Sequence, residues 1–297
     1  VVRIQDQDTD ADADADKAPL DQAHISALYV YPVKSARGLT PTDVPLVHTG
    51  FEHDRQWLVV DERRRFLTQR ELPLLATLRP ALAGDTLMLD APTRTPLTLA
   101  ARTERDSCRV RIWGDECAAF DCGDTAANWL STWLGRKLRL VRFDTRSLRL
   151  SNSGWTGSVA APNLFTDGYP ILVANTASLA DLNARMGREL PMERFRPNIV
   201  LDGLPPYAED RIAELHCGDV QLRLVKPCVR CSITTTDQKL GALDGDEPLR
   251  TLKSYRHDRQ LNGVTFAQNA IIVSGVGARL RVGDRFSLVW RDVTVQA

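Results

Sequence analysis

The chain has 297 residues, 43% of them hydrophobic and 26% charged, with 38 basic residues against 38 acidic ones. That length supports two domains with ample cores, and a formal net charge of +0 gives no global attraction to nucleic acid or to an anionic membrane surface. No apolar run approaches the ~20 residues of a membrane span. Six irregularly spaced cysteines do not form a disulfide framework, so an enzyme of a reducing cytoplasm is expected.

Residues 1–21 open with Asp6, Asp8, Asp10, Asp12, Asp14 and Asp16. Such a segment buries too little apolar area to offset its ordering entropy, and a disordered acidic tail is expected. It lacks the glycine and closing glutamate of a calcium loop. From Ile25 to Tyr31 alternate positions are apolar and Pro32 ends the run, which predicts a strand. The next residues, Lys34, Ser35 and Arg37 before Gly38, place cations, a hydroxyl and free backbone N–H groups in one turn, a combination suited to a phosphate or other anion. Arg55 precedes a second predicted strand, Trp57 to Asp61; alone, it reads as a partner of Asp54. The arginines at 63 to 65 lack aromatic interleaving and read as a solvated hairpin tip rather than a nucleic-acid contact.

Gly-Asp recurs between strand-like runs at 84–85, 114–115, 218–219 and 283–284. Glycine and aspartate tolerate the positive φ of tight primed turns, so four hairpins and an antiparallel, β-rich protein are expected, with strands near the two ends closing on one another. Two helices stand out. One runs from Thr125 to Leu134, with Asp124 as cap and Gly135 as stop; the other runs from Ala177 to Met186, with Asn175 or Thr176 as cap and Gly187 as stop. Between them, residues 146–162 carry no apolar period and predict a domain boundary or a loop over a site. Domains are placed at 22–148 and 149–297.

In the second half, Arg196 and Asn198 flank Pro197 and would share one side of an extended stretch. The richest chemistry is Cys228-Val-Arg-Cys231 and the Ser-Ile-Thr-Thr-Thr-Asp237 run that follows. Arg230 favours an ionised sulfur, the nucleophilic and metal-binding form, so a soft transition metal or sulfur chemistry is implied. A structural zinc set of His216, Cys217, Cys228 and Cys231 is the competing reading, although strand alternation turns His216 and Cys217 to opposite faces. A thioredoxin-like pair lacks its strand–motif–helix setting. No Gly-x-Ser-x-Gly elbow supports a serine triad.

Tyr31-Pro-Val-Lys-Ser, Asp54-Arg-Gln-Trp57, Thr68-Gln-Arg70, Phe195-Arg-Pro-Asn-Ile-Val200, Cys228-Val-Arg-Cys231, Glu247-Pro-Leu-Arg-Thr-Leu-Lys-Ser-Tyr-Arg256 and Phe266-Ala-Gln-Asn269 occur in that order. Together they resemble MOSC-domain proteins that carry an N-terminal MOSC β-barrel domain, of the type of the mitochondrial amidoxime reducing component and its bacterial relatives. The resemblance implies a β-rich α+β fold: an N-terminal β-barrel-like domain, then a MOSC β-barrel domain with a few helices. It also implies a molybdenum cofactor, Mo-molybdopterin, held between the domains, with Cys231 as the protein ligand to the metal. Lys34, Ser35, Arg55, Arg196, Asn198 and Arg230 fall on positions that hold the pterin and its phosphate. Gly168, Tyr169 and Asn269 fall on positions lining the same cofactor, and Asp167 stands near the metal as a catalytic candidate. Ala267 replaces a usual glycine.

The implied activity is reduction of N-hydroxylated compounds. The chain ends at Ala297 without a ferredoxin-type domain and opens without an anchor, so a separate flavoprotein or small redox carrier is expected to supply electrons. A carrier that delivers cofactor, or a Cys231 persulfide, is the alternative. Pyridoxal phosphate binding is a further association the resemblance brings.

Overall fold

The computed structural model describes residues 21–102 and 106–292; the expected tail, residues 1–20, lies outside them. Seven strands form a closed barrel in the order Ile171–Asn175, Ile199–Asp202, Gln22–Leu28, Arg285–Trp290, Ile212–Cys217, Val220–Val229 and Gly263–Ser274, the last pairing back onto the first. Closure removes the edges that an open sheet would expose. The interior is filled by Ile25, Leu28, Val173, Leu201, Leu215, Leu222 and Phe286.

The first strand of the chain therefore belongs to the barrel of the second half. Gln22, Ala23 and His24 lie opposite Ser287, Phe286 and Arg285, and Arg279–Arg281 pairs with Asp43–Val47. The two ends close on one another as their turn–strand phrasing suggested, and a division at residue 148 separates stretches of sequence rather than sheets. A bulge between Ile25 and Ala27 breaks the expected alternation, and the strand stops at Leu28 instead of Tyr31.

The rest of the first half holds a four-stranded sheet, ordered Trp57–Asp61, Leu138–Phe143, Asp115–Asp121 and Ser107–Ile112, and a three-stranded sheet over residues 79–100. Helix Asp124–Leu134 packs Ala126 and Leu130 against Trp57, Leu87 and Leu140. Burying a side chain such as Leu130 completely contributes about 1.5–3 kcal/mol. Gly135 ends this helix in the left-handed conformation as expected, but the cap position is Gly123; the Asp124 carboxylate turns to Arg139 at 2.9 Å. The second long helix, Thr176–Met186, is capped by Asn175, whose side chain accepts from the Ala177 N–H at 3.1 Å, and is ended by Gly187.

Gly84-Asp85 and Gly218-Asp219 are two-residue hairpin turns. At the third site the turn is Trp113-Gly114, one residue earlier, with Trp113 at φ 52°. The fourth is not a hairpin. Gly283-Asp284 is a corner between the Arg279–Arg281 strand and the barrel strand from Arg285, its main chain bonded to Ile25. A Gly-Asp pair satisfies either geometry, so local sequence could not separate them.

Candidate functional site

The turn after the first strand ends in Lys34 and Ser35, both buried, with Ser35 at φ 69°. The N–H groups of Lys34, Ala36 and Arg37 are already given to the carbonyls of Trp57, Val33 and Leu78. The turn's attraction for an anion therefore comes from its side chains rather than from those free N–H groups, and Arg37 is exposed. Arg55 is also left-handed, at φ 50°; its backbone is bonded to Tyr31 and Phe165 and its guanidinium to Asp54. Arg196, at φ 56°, is a third. Left-handed backbone costs a residue with a Cβ about 1–2 kcal/mol, and three such residues in one place is the pattern of a preorganised site.

These residues meet those of the second half around one cavity of about 220 Å³. Lys34, Ser35 and Arg55 line it from the first half; Asp167, Gly168 and Tyr169 from the loop before Ile171; Arg196 and Asn198 from the turn before Ile199. Arg230 and Cys231 come from the end of the long Val220–Val229 strand, and Asn269 from its neighbour. The residues that the family resemblance assigned to the cofactor are all on this wall, whereas Arg37, His216 and Cys217 are not. The halves also interlock here: Arg55 donates to the Arg196 carbonyl at 3.0 Å, and Arg196 donates to the Ala36 carbonyl at 2.7 Å.

The charges are arranged unequally. The Lys34 ammonium donates to Asp167 at 2.6 Å and to the Phe165 carbonyl at 2.8 Å. Burial pushes Lys34 below its usual value and Asp167 opposes that. Desolvation resists ionisation of Asp167, but with 66% of its side chain exposed the Lys34 ammonium prevails and holds the carboxyl well below the usual range. Asp167 is thus a carboxylate that accepts hydrogen bonds, unsuited to delivering a proton near neutrality.

Arg196 and Arg230 have no carboxylate within ion-pair distance among the described residues, and desolvation pushes Arg196 down to about 10. The Nε of Arg230 is buried without a hydrogen-bond partner. A guanidinium removed from water without a counter-charge is costly, so both point to an anion as the missing partner.

The Arg230 cation rests on the first sulfur of the pair. It donates to Cys228 at 2.8 Å and to the Phe195 carbonyl at 2.7 Å. Burial outweighs it, and the Cys228 thiol is raised. Cys231 faces the same cavity from the start of a 3-10 turn, Ser232–Thr235, whose Thr234 bonds back to the Cys231 carbonyl through both its N–H and its hydroxyl. Asn198 is a stitch: its side chain accepts from the Leu172 N–H and donates to the Tyr29 carbonyl, which fixes the strands that carry its neighbours. Asn269 likewise donates to the Lys226 carbonyl at 3.2 Å. Burial raises Tyr169 to about 12, so it remains a neutral phenol.

The zinc set fails on geometry. Cys217 and Cys228 sit at opposite ends of one hairpin, with Cys217 opposite Val220; eight residue steps of strand separate Val220 from Cys228, roughly 26 Å. Among the described residues no group of three or more His, Cys, Asp or Glu side chains could hold a metal.

Sequence reasoning gave no role to Lys226, Phe195 or Arg149. Lys226 lines the cavity two residues before Cys228 on the same strand, a spacing that could have flagged it. Arg149 lies in the aperiodic 146–162 stretch. It donates to the Leu164 and Thr166 carbonyls at 2.9 and 3.0 Å and to Asp115 at 2.8 Å, bracing the loop that presents Asp167. Nothing local announces that role.

Residues 22–137 match the MOSC N-terminal beta barrel domain and residues 160–287 the MOSC domain. The mitochondrial amidoxime-reducing component 1 of Homo sapiens is 34% identical over 274 residues, covering 88% of this chain and 81% of its own length. Component 2 of Rattus norvegicus is 36% identical over 243 residues, 78% of this chain and 72% of its own. The molybdenum cofactor sulfurase of Danio rerio is 30% identical over 266 residues, 83% of this chain but only 32% of that protein. With both domains matched in order and relatives similar over most of their length, the chain belongs to the MOSC-domain family, alongside the amidoxime-reducing components.

Proposed function

We propose that this protein is a molybdenum-cofactor-dependent reductase of N-hydroxylated compounds that draws its electrons from a separate donor protein. The observation that carries the reading is a cavity lined by the thiol of Cys231 and by two guanidiniums, Arg196 and Arg230, that have no carboxylate partner among the described residues. A phosphate-bearing ligand with a soft metal matches that donor set: hard anionic oxygens for the guanidiniums, a thiolate for the metal. Similarity to amidoxime-reducing components supplies the substrate class.

In this reading Arg196, Arg230, Lys34 and Ser35 hold the pterin phosphate, and Cys231 holds the metal. When bound, the cofactor supplies two-electron redox chemistry, while the protein supplies orientation and electrostatics. Removing the hydroxyl oxygen of the substrate consumes two electrons and two protons and releases water. Asp167, kept ionised by Lys34, accepts a hydrogen bond from the N–H or O–H of the substrate and orients it; the protons come from water or from the substrate's own acidic groups.

Holoprotein given reduced viologen should convert benzamidoxime to benzamidine, and should fail with NADH alone until a flavoprotein or small electron carrier is added. The similarity to a molybdenum cofactor sulfurase favours one other reading, a carrier holding cofactor or a Cys231 persulfide. Molybdenum-loaded protein that never reduces an N-hydroxylated substrate, yet takes labelled sulfur onto Cys231 from a desulfurase, would replace the reductase with the carrier.

A further inference from the structure

Trp113 is 44% exposed, an unusual state for so large an apolar side chain, and it sits at the tip of the hairpin joining Ser107–Ile112 to Asp115–Asp121. Its ring is nevertheless fixed. The indole N–H donates to Asp167 at 3.3 Å, Phe66 packs against it at a tilt of 59° with centroids 4.9 Å apart, and the Arg70 guanidinium lies 4.8 Å from its centroid. The backbone accepts a left-handed φ at this position to present it. Asp115, two residues on, is tied to Arg149, so the hairpin tip is fastened to the site loop at two points.

One edge of Trp113 thus touches the carboxylate at the mouth of the cofactor cavity. The same residue lines a second cavity, of about 330 Å³, on the first half of the chain. The second cavity has Phe66 beside Trp113 and the cations Arg65, Arg111 and Arg136 around them. Its two carboxylates are already engaged: Asp61 with Arg65 at 2.8 Å, and Glu71 with the hydroxyl and N–H of Thr68 at 2.7 and 2.9 Å. Arg136 makes no ion pair with another described residue. Of the three arginines that line the cavity, Arg65 is paired with Asp61 and Arg111 with Glu116 at 3.7 Å, which leaves Arg136 as the cation without an ion pair among the described residues.

We propose that this second cavity is a substrate subsite, linked to the Asp167 mouth of the cofactor cavity through Trp113. It takes the far end of a flat aromatic substrate that carries an anionic group, while the N-hydroxylated end lies at Asp167. The proposal rests on the reductase reading for the identity of the reacting end. The aromatic wall supplies stacking area, and the unpaired arginine supplies charge selection.

The test compares benzamidine with 4-carboxybenzamidine, the amidines left after reduction of the two matching amidoximes, by isothermal titration against the full holoprotein. Wild type should bind the carboxylate-bearing ligand up to about fivefold tighter, the scale of one exposed ion pair, and Arg136→Ala should abolish the preference. Trp113→Ala should weaken both ligands about tenfold, with Trp113→Phe restoring most of it. Equal binding of the two ligands by wild type, or a preference that survives Arg136→Ala, overturns the subsite. Turnover of the two amidoximes separates the layers. A binding preference without reduction of either sinks the reductase reading and leaves the subsite standing, whereas reduction of both with no preference in binding or turnover sinks the subsite alone.

Discussion

Arg55 and Arg196, 141 residues apart, lie over the ring of the same tyrosine, their guanidinium carbons 4.3 and 4.2 Å from the centroid of Tyr31. Two like charges this close would separate if left alone. Asp54 offsets one of them, holding Arg55 at 2.6 Å while accepting the Tyr31 N–H at 2.8 Å. Only 1% of the Asp54 side chain is exposed, so this carboxylate anchors the cationic wall from beneath.

Asp54→Ala should therefore cost about 3–5 kcal/mol of stability, because it strands a partly buried guanidinium and an N–H group together. Asp54→Asn keeps the bond to Tyr31 and should lose less. Urea denaturation of the two variants checks the order; equal, small losses would mean that Arg55 is satisfied by Tyr31 and the Arg196 carbonyl alone.

The two cysteines of the cavity should behave differently. Cys231→Ser should lose molybdenum and activity, while Cys228→Ser, whose thiol is raised by burial and engaged by Arg230, should keep most of both. Metal analysis of protein made in a cofactor-competent host reads this directly. Parallel loss in both variants, or metal retained in Cys231→Ser, would count against Cys231 as the ligand.

Lys34→Met removes a buried ammonium with little change of volume. Loss of one charge-assisted contact to phosphate, about 1.5–3 kcal/mol, should lower cofactor affinity roughly tenfold or more. Freed of Lys34, the Asp167 carboxyl should titrate at higher pH than in wild type. Unchanged cofactor content after dialysis, with the fold intact, would assign Lys34 to the Asp167 ion pair alone.

Glu209 predicts a pH dependence far from the cavity. It is fully buried, and desolvation together with Asp210 raises its carboxyl to about 7, against hydrogen bonds from Ser178 and Asn175. Between about 4.5 and 7 the folded state keeps a proton that the unfolded chain has released. Stability should thus be greatest with respect to this group below pH 4.5 and fall as pH rises through 7, by about 3 kcal/mol in total. Glu209→Gln should flatten that slope and be the more stable protein at pH 8. A wild-type stability that rises between pH 5 and 8, with the slope unchanged in the variant, would show that other groups govern it.

Much of the site was legible in sequence because its parts are short phrases. Lys34-Ser35, Arg55, the Phe195-Arg-Pro-Asn198 turn and the Cys228–Cys231 motif each place cations, amides and sulfur within a few residues, and all line one cavity. Asp54 does pair with Arg55, as Arg55 taken alone suggested, yet the same arginine also bonds the main chain of the other half. What could not be read were the partners of these phrases. The Lys34–Asp167 pair spans 133 residues, and the sulfur that Arg230 touches depends on the bulges of its strand.

The sequence by itself determined what depends on neighbours along the chain. Gly135 and Gly187 end their helices because only a residue without a Cβ takes the left-handed conformation there at no cost, and Trp57–Asp61 is a strand over the residues expected. Tertiary structure decided what depends on neighbours in space. It assigned the first strand to the barrel of the second half, made a corner of Gly283-Asp284, and set Trp113 against Asp167. Turn chemistry and periodicity act over a few residues, whereas barrel closure satisfies backbone groups on strands more than 250 residues apart. No local pattern encodes which strand will be there to meet them.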